Sequence, residues 1–211
     1  MNKYDQALRY ELFEKEEYAL AKDAIKKAEV IFDIGGHVGY FSERCRGLHE
    51  EAEIHYFEPV PFLYETAKER LNGDKKLIFN AVGMGAREEE IDFLVNAEKT
   101  MQSSRDPSFL NPQGETIRVK MITLEGYLEE RQMQKIDVLK MDIEGMEREV
   151  LESRKDEVWG KIGAMIVEVH VFGEREAQRF EGVKAKLNQH FSRVEEEVSS
   201  YTEKIRLVYC E

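Results

Sequence analysis

The chain has 211 residues, and 42% of them are hydrophobic, which suits one folded domain with a sizeable core and disfavours a disordered chain. Its 31 basic and 43 acidic residues give a net charge of −12. Because neutralising phosphate needs clustered Lys and Arg, this charge disfavours general binding to nucleic acid or to an anionic membrane surface. We therefore expect a single domain over residues 1–211 that binds neither.

The N-terminus and the two cysteines favour the cytoplasm as the location. The first residues, MNKYDQALRYELFEKEEY, are charged throughout and lack the apolar segment of a signal peptide. No apolar run in the sequence approaches the length of a membrane span. Cys45 and Cys210 lie far apart and in no metal-ligand spacing, so we expect two reduced, partly buried thiols.

Helices and strands are predicted to alternate along the first half of the chain. Residues 1–28 have helical spacing and many strong helix formers. Short apolar strands are predicted at 30–35, 54–59 and 77–83, with helical spacing between them. Strands that alternate with helices favour a parallel sheet with right-handed crossovers.

The middle of the chain breaks this alternation. Residues 91–95 and 117–124 are predicted strands, and the long segment 96–116 between them is a predicted active-site loop. A strand and turn at 136–145 and another strand at 163–170 then follow, with a helix after each. A closing β-hairpin makes the last strand antiparallel to the rest. The predicted fold class is therefore α/β.

A glycine-rich stretch, FDIGGHVGYFS, joins the first strand to the following helix, where α/β folds bind nucleotides. Its glycines do not fit the dinucleotide pattern G-x-G-x-x-G, and its aspartate would repel a pyrophosphate. S-adenosyl-L-methionine (SAM), which carries an ammonium and a sulfonium, suits this glycine turn (residues 33–39) better, with amide donors from the helix N-terminus. The alternative is a tight turn with a buried capping aspartate. The predicted cofactor-binding residues here are Asp33, Gly35, Gly36, His37 and Gly39.

Glu58 ends the second predicted strand. An acidic side chain at this position can accept hydrogen bonds from both ribose hydroxyls of an adenosine. The alternative is a solvated strand end, the usual environment of a glutamate. Because NAD and SAM both carry adenosine, Glu58 supports a nucleoside site without choosing between them.

Polar side chains lie near the ends of the two later parallel strands. Lys140, Asp142 and Glu144 share one face of the first. Glu168 and His170 share one face of the second. These ends meet at the edge where α/β folds bind ligands, so we favour a catalytic role for the group. The alternative is a salt-bridge set that satisfies only itself.

Seven segments, in order, resemble the FkbM-type SAM-dependent methyltransferases. They are FDIGGHVGYFS, YFEPVPFLYETAKERL, LIFNAVG, the Ser103-Ser104 loop, VKMITLEGYL, IDVLKMDIEGMEREVL and MIVEVH. The resemblance implies a Rossmann-like class I methyltransferase fold, with a seven-stranded, mostly parallel sheet, an antiparallel last strand and helices on both faces. It also implies SAM as the cofactor and O-methylation of a small molecule such as a sugar or a polyketide-like metabolite.

The resemblance also assigns residues to roles. Glu58 matches the ribose-binding acid, and Asp142 and Glu144 match the D-x-E-G motif. The glycine turn matches at Asp33, Gly35 and Gly39. The segment beside the adenine matches at Asn80, Ala81 and Val82. The chain departs from the family at Gly36-His37, where Ala-Asn is usual, and at Glu125, where an aspartate is usual.

Methyl transfer from a sulfonium is an in-line displacement, so the enzyme must align the acceptor oxygen and remove its proton. His170 is the best candidate base on intrinsic pKa, and Asp142 or Glu144 could serve instead or orient the acceptor. Lys140 is predicted to stabilise a developing alkoxide or to fix Asp142. The predicted substrate-binding residues, in the 96–116 loop, are Ser103, Ser104 and Arg105.

Two other functions stay open at this point. A nicotinamide-dependent oxidoreductase is weakened by the absent G-x-G-x-x-G and by the lack of a suitably placed Tyr-x-x-x-Lys. A non-catalytic SAM-binding domain would keep the fold without transfer. A carboxylate–histidine metal site at Asp142, Glu144 and His170 has no ligand-like spacing, so we assign no metal ligand.

Overall fold

The structure, a computed structural model, describes residues 9, 10, 13, 18–95, 114–171, 173–199, 202 and 204–211, except for the side chains of residues 175 and 176. Strands in this part of the chain are, in order, β1 (Val30–Ile34), β2 (Glu53–Phe57), β3 (Leu77–Asn80), β4 (Gly83–Met84), β5 (Glu89–Val95), β6 (Glu115–Ile122), β7 (Ile136–Met141), β8 (Ile162–His170), β9 (Val194–Val198) and β10 (Ile205–Cys210).

Seven of these strands form the main sheet, in the order β3-β2-β1-β7-β8-β10-β9. The neighbours from β3 to β8 pair in parallel, and β10 pairs antiparallel with both β8 and β9. The strand order reverses between β1 and β7, with β2 on one side and β8 on the other, so the carboxyl ends of these four parallel strands meet at one edge. This topology confirms the predicted fold class and the antiparallel last strand.

A second sheet, of order β4-β6-β5, contains the two strands predicted in the middle of the chain. Strand β6 ends at Ile122, two residues before the predicted end. The reason is a helix cap, because the Thr123 hydroxyl accepts a hydrogen bond from the Gly126 amide at 3.0 Å and starts the next helix. The predicted strand 77–83 is likewise divided between β3 and β4.

Helices cover both faces of the main sheet. They are α1 (Lys22–Ile25), α2 (Tyr40–Leu48), α3 (Pro61–Arg70), α4 (Leu124–Glu130), α5 (Glu147–Ser153), α6 (Asp156–Trp159) and α7 (Glu174–His190), with a 3-10 turn at Ala19–Ala21. Successive residues of β1 point to opposite faces, as strand geometry requires. Ile31 packs with Phe41 of α2, and Phe32 packs with Tyr127 of α4, in two separate cores.

Other predictions are only partly covered by the described residues. Residues 9, 10 and 13 are helical, in line with the predicted N-terminal helix. Of the predicted loop 96–116, residues 96–113 lie outside the described part of the chain. Cys45 and Cys210 are buried free thiols. In the described part of the chain, no helix combines the length and the apolar character that crossing a bilayer requires.

Candidate active site

The glycine turn between β1 and α2 is shaped by the packing of the protein itself. Gly35 has a φ of +74°, and a Cβ atom there would lie 1.7 Å from the carbonyl oxygen of Asp142. A Cβ atom on Gly36 would lie 2.1 Å from Cε2 of Tyr56. Gly39 has a φ of +85° and caps α2. Glycine is therefore required at these positions even before a ligand is considered.

Backbone hydrogen bonds hold the turn against the end of β2. The amides of Gly35 and Gly36 both donate to the carbonyl oxygen of Phe57, at 3.0 and 2.9 Å, and the Gly39 amide donates to the Gly36 carbonyl at 2.8 Å. We expected amides near the helix N-terminus to bind the ligand. These three are used within the protein, because they close the turn.

Asp33 and Lys140 form a buried ion pair behind the turn, where β1 and β7 place them side by side. Oδ2 of Asp33 accepts from the Ser42 hydroxyl at 2.6 Å, and Nζ of Lys140 lies 3.6 Å from Oδ1. Nζ also donates to the Gly35 carbonyl at 2.7 Å. Burial lowers the pKa of Lys140, but the carboxylates of Asp142 and Asp33 outweigh it and hold that pKa above its usual value. The cationic partner of Asp33 in the structure is thus Lys140, whereas we expected a ligand.

Glu58 is buried at the end of β2 and supports the turn. Its Oε2 accepts from the His37 amide at 3.0 Å, and its Oε1 accepts from the Val60 amide at 2.9 Å. Burial raises the pKa of Glu58 to about 7, although both amide hydrogen bonds act in the opposite direction. Each carboxylate oxygen has a second lone pair, so the group can still accept from ribose hydroxyls.

Asn80 at the end of β3 uses its side chain within the protein. Its Nδ2 donates to two backbone carbonyls, at 3.0 and 3.1 Å, and its Oδ1 accepts from the Tyr127 hydroxyl at 3.2 Å. Ala81 is exposed and Val82 is half-buried. The placement of these residues beside an adenine stays a prediction.

The D-x-E-G loop after β7 is held in shape by Glu147, the first residue of α5. Glu144 has a φ of +53° and Gly145 a φ of +95°, so the chain bends sharply between them. Oε1 of the buried Glu147 accepts from the amides of Ile143 and Gly145, both at 3.0 Å. This carboxylate therefore fixes the loop that carries two of the predicted catalytic residues, Asp142 and Glu144.

His170 at the end of β8 lies between two glutamates. Its Nδ1 is 3.1 Å from Oε1 of Glu147, and its Nε2 is 3.4 Å from Oε2 of Glu144. Burial alone would lower the pKa of His170, but these carboxylates, Glu147 above all, raise it well above its usual value. A protonated imidazole has no lone pair to accept a proton, which counts against His170 as the general base.

Glu144 is a better candidate for the base. Burial raises the pKa of Glu144 well above its usual value, and His170 opposes this increase. The nearby carboxylates of Asp142 and Glu168 raise it further. A carboxylate whose pKa is raised is a stronger base, so it can accept a proton from a hydroxyl group more effectively than an ordinary glutamate.

The structure brings the four predicted catalytic residues together. Lys140 connects the end of β1 with the end of β7, because its Nζ lies 3.6 Å from Oδ1 of Asp33 and 3.8 Å from Oδ2 of Asp142. Glu168, on the same face of β8 as His170, accepts from the Tyr18 hydroxyl at 3.2 Å. We call the group that meets here the acidic cluster; its members are Asp142, Glu144, Glu147, Glu168 and His170.

Three supporting residues were missed by the sequence reasoning. They are Ser42, Tyr56 and Glu147. An acidic residue opening a helix directly after a glycine turn was a usable signal for Glu147. Nothing in the sequence pairs Tyr56 with Gly36. The predicted substrate-binding residues Ser103, Ser104 and Arg105 lie outside the described residues. Glu125, a departure from the family pattern, accepts a hydrogen bond on Oε2 from Nη1 of Arg154 at 2.5 Å.

Comparison with known proteins identifies the family of this chain. Residues 33–201, which make up most of the chain, match the family described as the methyltransferase FkbM domain. The 31-O-demethyl-FK506 methyltransferase FkbM of Streptomyces tacrolimicus is 25% identical over 195 residues, covering 78% of this chain and 74% of that protein. Methyltransferase 1 of Beauveria bassiana (strain ARSEF 2860) is 23% identical over 158 residues, covering 66% of this chain and 64% of that protein.

Solved structures share the fold. The methyltransferase FkbM from Methylobacillus flagellatus KT has a TM-score of 0.57 at 13% identity, over 87% of this chain but only 44% of its own length. A putative rRNA-methylase from Clostridium thermocellum has a TM-score of 0.56 at 10% identity, over 92% of this chain and 94% of that one. At these identities the likeness shows the fold alone. The match to the family model over residues 33–201 shows that the chain belongs to the FkbM family of SAM-dependent methyltransferases.

Proposed function

We propose that this protein methylates a hydroxyl group of a small molecule such as a sugar or a polyketide-like metabolite, with SAM as the methyl donor. The observation that carries the proposal is the position of Lys140, which contacts acidic residues at the ends of both β1 and β7. Its ammonium lies within 4 Å of Asp33, beside the glycine turn, and of Asp142, in the acidic cluster. A cofactor site and a group of acid–base residues are thereby adjacent, as transfer between two bound molecules requires.

The charges at this edge fit a cationic methyl donor. Oδ1 of Asp142 is shielded from solvent and has no hydrogen-bond partner among the residues that the structure describes. Glu144 and Glu168 add negative charge near it. Such surroundings favour a sulfonium and an ammonium, and the lone pairs left on Glu58 suit ribose hydroxyls.

In this proposal Glu58 binds the ribose, and Asp142 faces the cationic end of the cofactor. Asp33 acts indirectly, by fixing Lys140. When bound, SAM supplies an electrophilic methyl group on a sulfonium sulfur. The remaining proposed cofactor-binding residues are Gly35, Gly36, His37, Gly39, Asn80, Ala81 and Val82.

The acidic cluster prepares the acceptor. Glu144 takes the proton of the acceptor hydroxyl, because its raised pKa makes its carboxylate a stronger base than that of an ordinary glutamate. Lys140 orients Asp142 and offsets negative charge that develops on the acceptor oxygen. His170 positions Glu144 through Nε2 and does not itself take the proton.

A small acceptor agrees better than RNA with the net charge of −12, since RNA binding needs clustered basic residues. The Streptomyces relative is described as acting on 31-O-demethyl-FK506, a hydroxylated small molecule by its name, and this supports O-methylation. We further propose one methyltransferase domain over residues 1–211, located in the cytoplasm, with the 96–116 loop and its Ser103, Ser104 and Arg105 covering the acceptor.

Calorimetry with SAM, its demethylated product and NAD tests the cofactor. We expect the two SAM-related ligands to bind and NAD not to bind; preferential binding of NAD would support the oxidoreductase instead. A methyl-release assay with SAM against a panel of sugars and hydroxylated metabolites then tests transfer. SAM binding without transfer to any compound in a broad panel would favour a non-catalytic domain.

A further inference from the structure

Three side chains from the ends of two neighbouring strands, β7 and β8, come together in the acidic cluster. Asp142, Glu168 and His170 each offer one ligand atom, and these atoms all lie within 4.8 Å of one another. The parallel register of β7 and β8 explains the convergence, because it pairs Met141 with Val167 and so aligns the residues that follow each. The grouping differs from the set considered from sequence, since Glu168 replaces Glu144.

The histidine in this group is already oriented. Glu147 lies 3.1 Å from Nδ1 of His170, and two backbone amides of the D-x-E-G loop hold Glu147 in place. Nε2, on the other side of the ring, faces Glu144, and a bound ion would replace that contact. A carboxylate on one imidazole nitrogen is the usual way that proteins orient a histidine whose other nitrogen binds a metal.

One oxygen atom of Asp142 also favours a bound cation. Oδ1 of Asp142 lies out of contact with solvent and, within the described ranges of the chain, accepts no hydrogen bond. The carboxylates of Asp142, Glu144, Glu147 and Glu168 lie close together, with Lys140 and His170 as the cationic groups beside them. A buried carboxylate oxygen without a donor is costly unless a cation is bound to it.

We propose that Asp142, Glu168 and His170 bind one divalent cation, for which Mn²⁺ is the best chemical match. Carboxylates suit Mg²⁺, Ca²⁺ and Mn²⁺, and imidazole suits first-row transition ions, so Mn²⁺ satisfies both ligand types. Ligands of one small octahedral ion lie about 3 to 4 Å apart, so the three side chains contract slightly on binding. Three protein ligands leave coordination positions open for oxygens of an acceptor.

Binding of the ion can be measured on the protein alone, so this proposal does not depend on methyl transfer. The protein is freed of metal with a chelator and titrated with MnCl₂ at mildly alkaline pH, because the ion and a proton compete for Nε2 of His170. The six-line electron paramagnetic resonance signal of aqueous Mn²⁺ disappears as the ion binds. We expect one bound ion per chain, with nitrogen modulation from an imidazole in pulsed spectra of the bound ion.

Variants then locate the site. Glu168→Gln and Asp142→Asn should each abolish stoichiometric binding, and His170→Gln should remove the nitrogen modulation. Glu147→Gln removes the carboxylate that orients His170 and keeps an oxygen that can accept the loop amides, and it should weaken binding by about 10- to 100-fold. Glu129→Gln, an equal charge change at an exposed site on α4, is the control and should bind like the unmodified protein. Circular dichroism identifies any variant that fails to fold.

Two results would overturn the proposal. The first is an absence of stoichiometric Mn²⁺ binding by the folded, unmodified protein, which needs no variant. The second is a bound ion without nitrogen modulation, or one retained by both folded carboxylate variants. Methyl transfer that proceeds in the presence of chelator would leave the proposed function intact, so the two proposals fail separately.

Discussion

The glycine turn and the acidic cluster lie at one edge of the same sheet, but their charges are satisfied differently. In the turn, Asp33 is paired with Lys140 and bound by Ser42, and both oxygens of Glu58 accept backbone amides. In the acidic cluster, carboxylates outnumber cationic partners, and one oxygen of Asp142 has no partner in the described part of the protein.

This difference separates a preformed scaffold from a site that needs a ligand. The backbone hydrogen bonds of the turn close without a bound molecule, so changes there should mainly affect stability and cofactor affinity. The acidic cluster keeps negative charges close together, an arrangement that perturbs pKa values and that is frequent where proteins carry out chemistry. Changes in the cluster should therefore mainly affect rate and protonation.

The largest expected effect is on turnover. Glu144→Gln should lower the methyl-transfer rate by about 10²- to 10⁴-fold, because the variant has no proton acceptor at that position. The rate is measured with the acceptor identified by the panel, and SAM affinity is followed by calorimetry and should change little. Glu152→Gln, an exposed glutamate on α5, is the control. An unchanged rate in Glu144→Gln would remove Glu144 as the base.

Lys140 belongs to both regions, and its removal should cause the largest loss of stability. Lys140→Met leaves the buried Asp33 without its cation, which should lower the free energy of unfolding by about 3–5 kcal/mol. Urea denaturation measures the change. Lys76→Met removes an exposed ion pair with Glu51 and should cost less than about 1 kcal/mol. Equal losses in the two variants would contradict the scaffold role of Lys140.

A smaller loss is expected from adding one methyl group to the turn. Gly36→Ala places a Cβ atom against the Tyr56 ring, which should lower the free energy of unfolding by about 1–3 kcal/mol. The loss should shrink in a Tyr56→Leu background, as a double-mutant cycle would measure. Gly47→Ala, in α2 with open space around it, should instead stabilise the protein by about 0.5–1 kcal/mol. If Gly36→Ala behaves like Gly47→Ala, the packing account is wrong.

Within the acidic cluster, Glu147 should control the protonation of His170. Glu147→Gln removes the carboxylate that contributes most to the raised pKa of His170, so that pKa should fall. Proton–nitrogen NMR of the metal-free protein across a pH series follows the ring, assigned with His170→Gln. Glu152→Gln, on the same helix, should leave the His170 titration unchanged. A His170 pKa that stays high in Glu147→Gln would assign the effect to the other carboxylates.

The smallest effect concerns Glu58 and pH. Its pKa of about 7 means that the carboxylate takes up a proton as the pH falls through neutrality and becomes a weaker acceptor for ribose hydroxyls. SAM affinity should therefore fall by up to about tenfold per pH unit below about pH 7. Calorimetry across this range should show the dependence in the unmodified protein and lose it in Glu58→Gln. The same slope in both would place the titrating group elsewhere.

The order of strands and helices could be predicted from sequence because it depends on local periodicity. Apolar runs identified the strands of the main sheet, and the hairpin at the end identified the antiparallel strand. The boundary at Ile122 was harder, since it depends on one hydroxyl, that of Thr123, capping a helix. The division of the predicted 77–83 strand between two sheets depends on pairing with β6, which no local pattern encodes.

The site residues were predictable as types, but their partners were not. Asp33 was expected to need a cation, yet Lys140 is 107 positions away in sequence and reaches it only through the β1–β7 register. The intrinsic pKa of histidine favoured His170 as the base. Its buried neighbours, Glu147 and Glu144, reverse that preference, because carboxylates stabilise the imidazolium.

The contact between the Gly35 backbone and the Asp142 carbonyl leaves no room for even one methyl group. The two loops that carry these residues therefore cannot shift independently. A molecule that pushes one loop against the other on binding must displace both, so the affinities of cofactor and acceptor should depend on each other. Thermodynamic linkage makes that dependence mutual, because the factor by which the acceptor changes SAM affinity equals the factor by which SAM changes acceptor affinity.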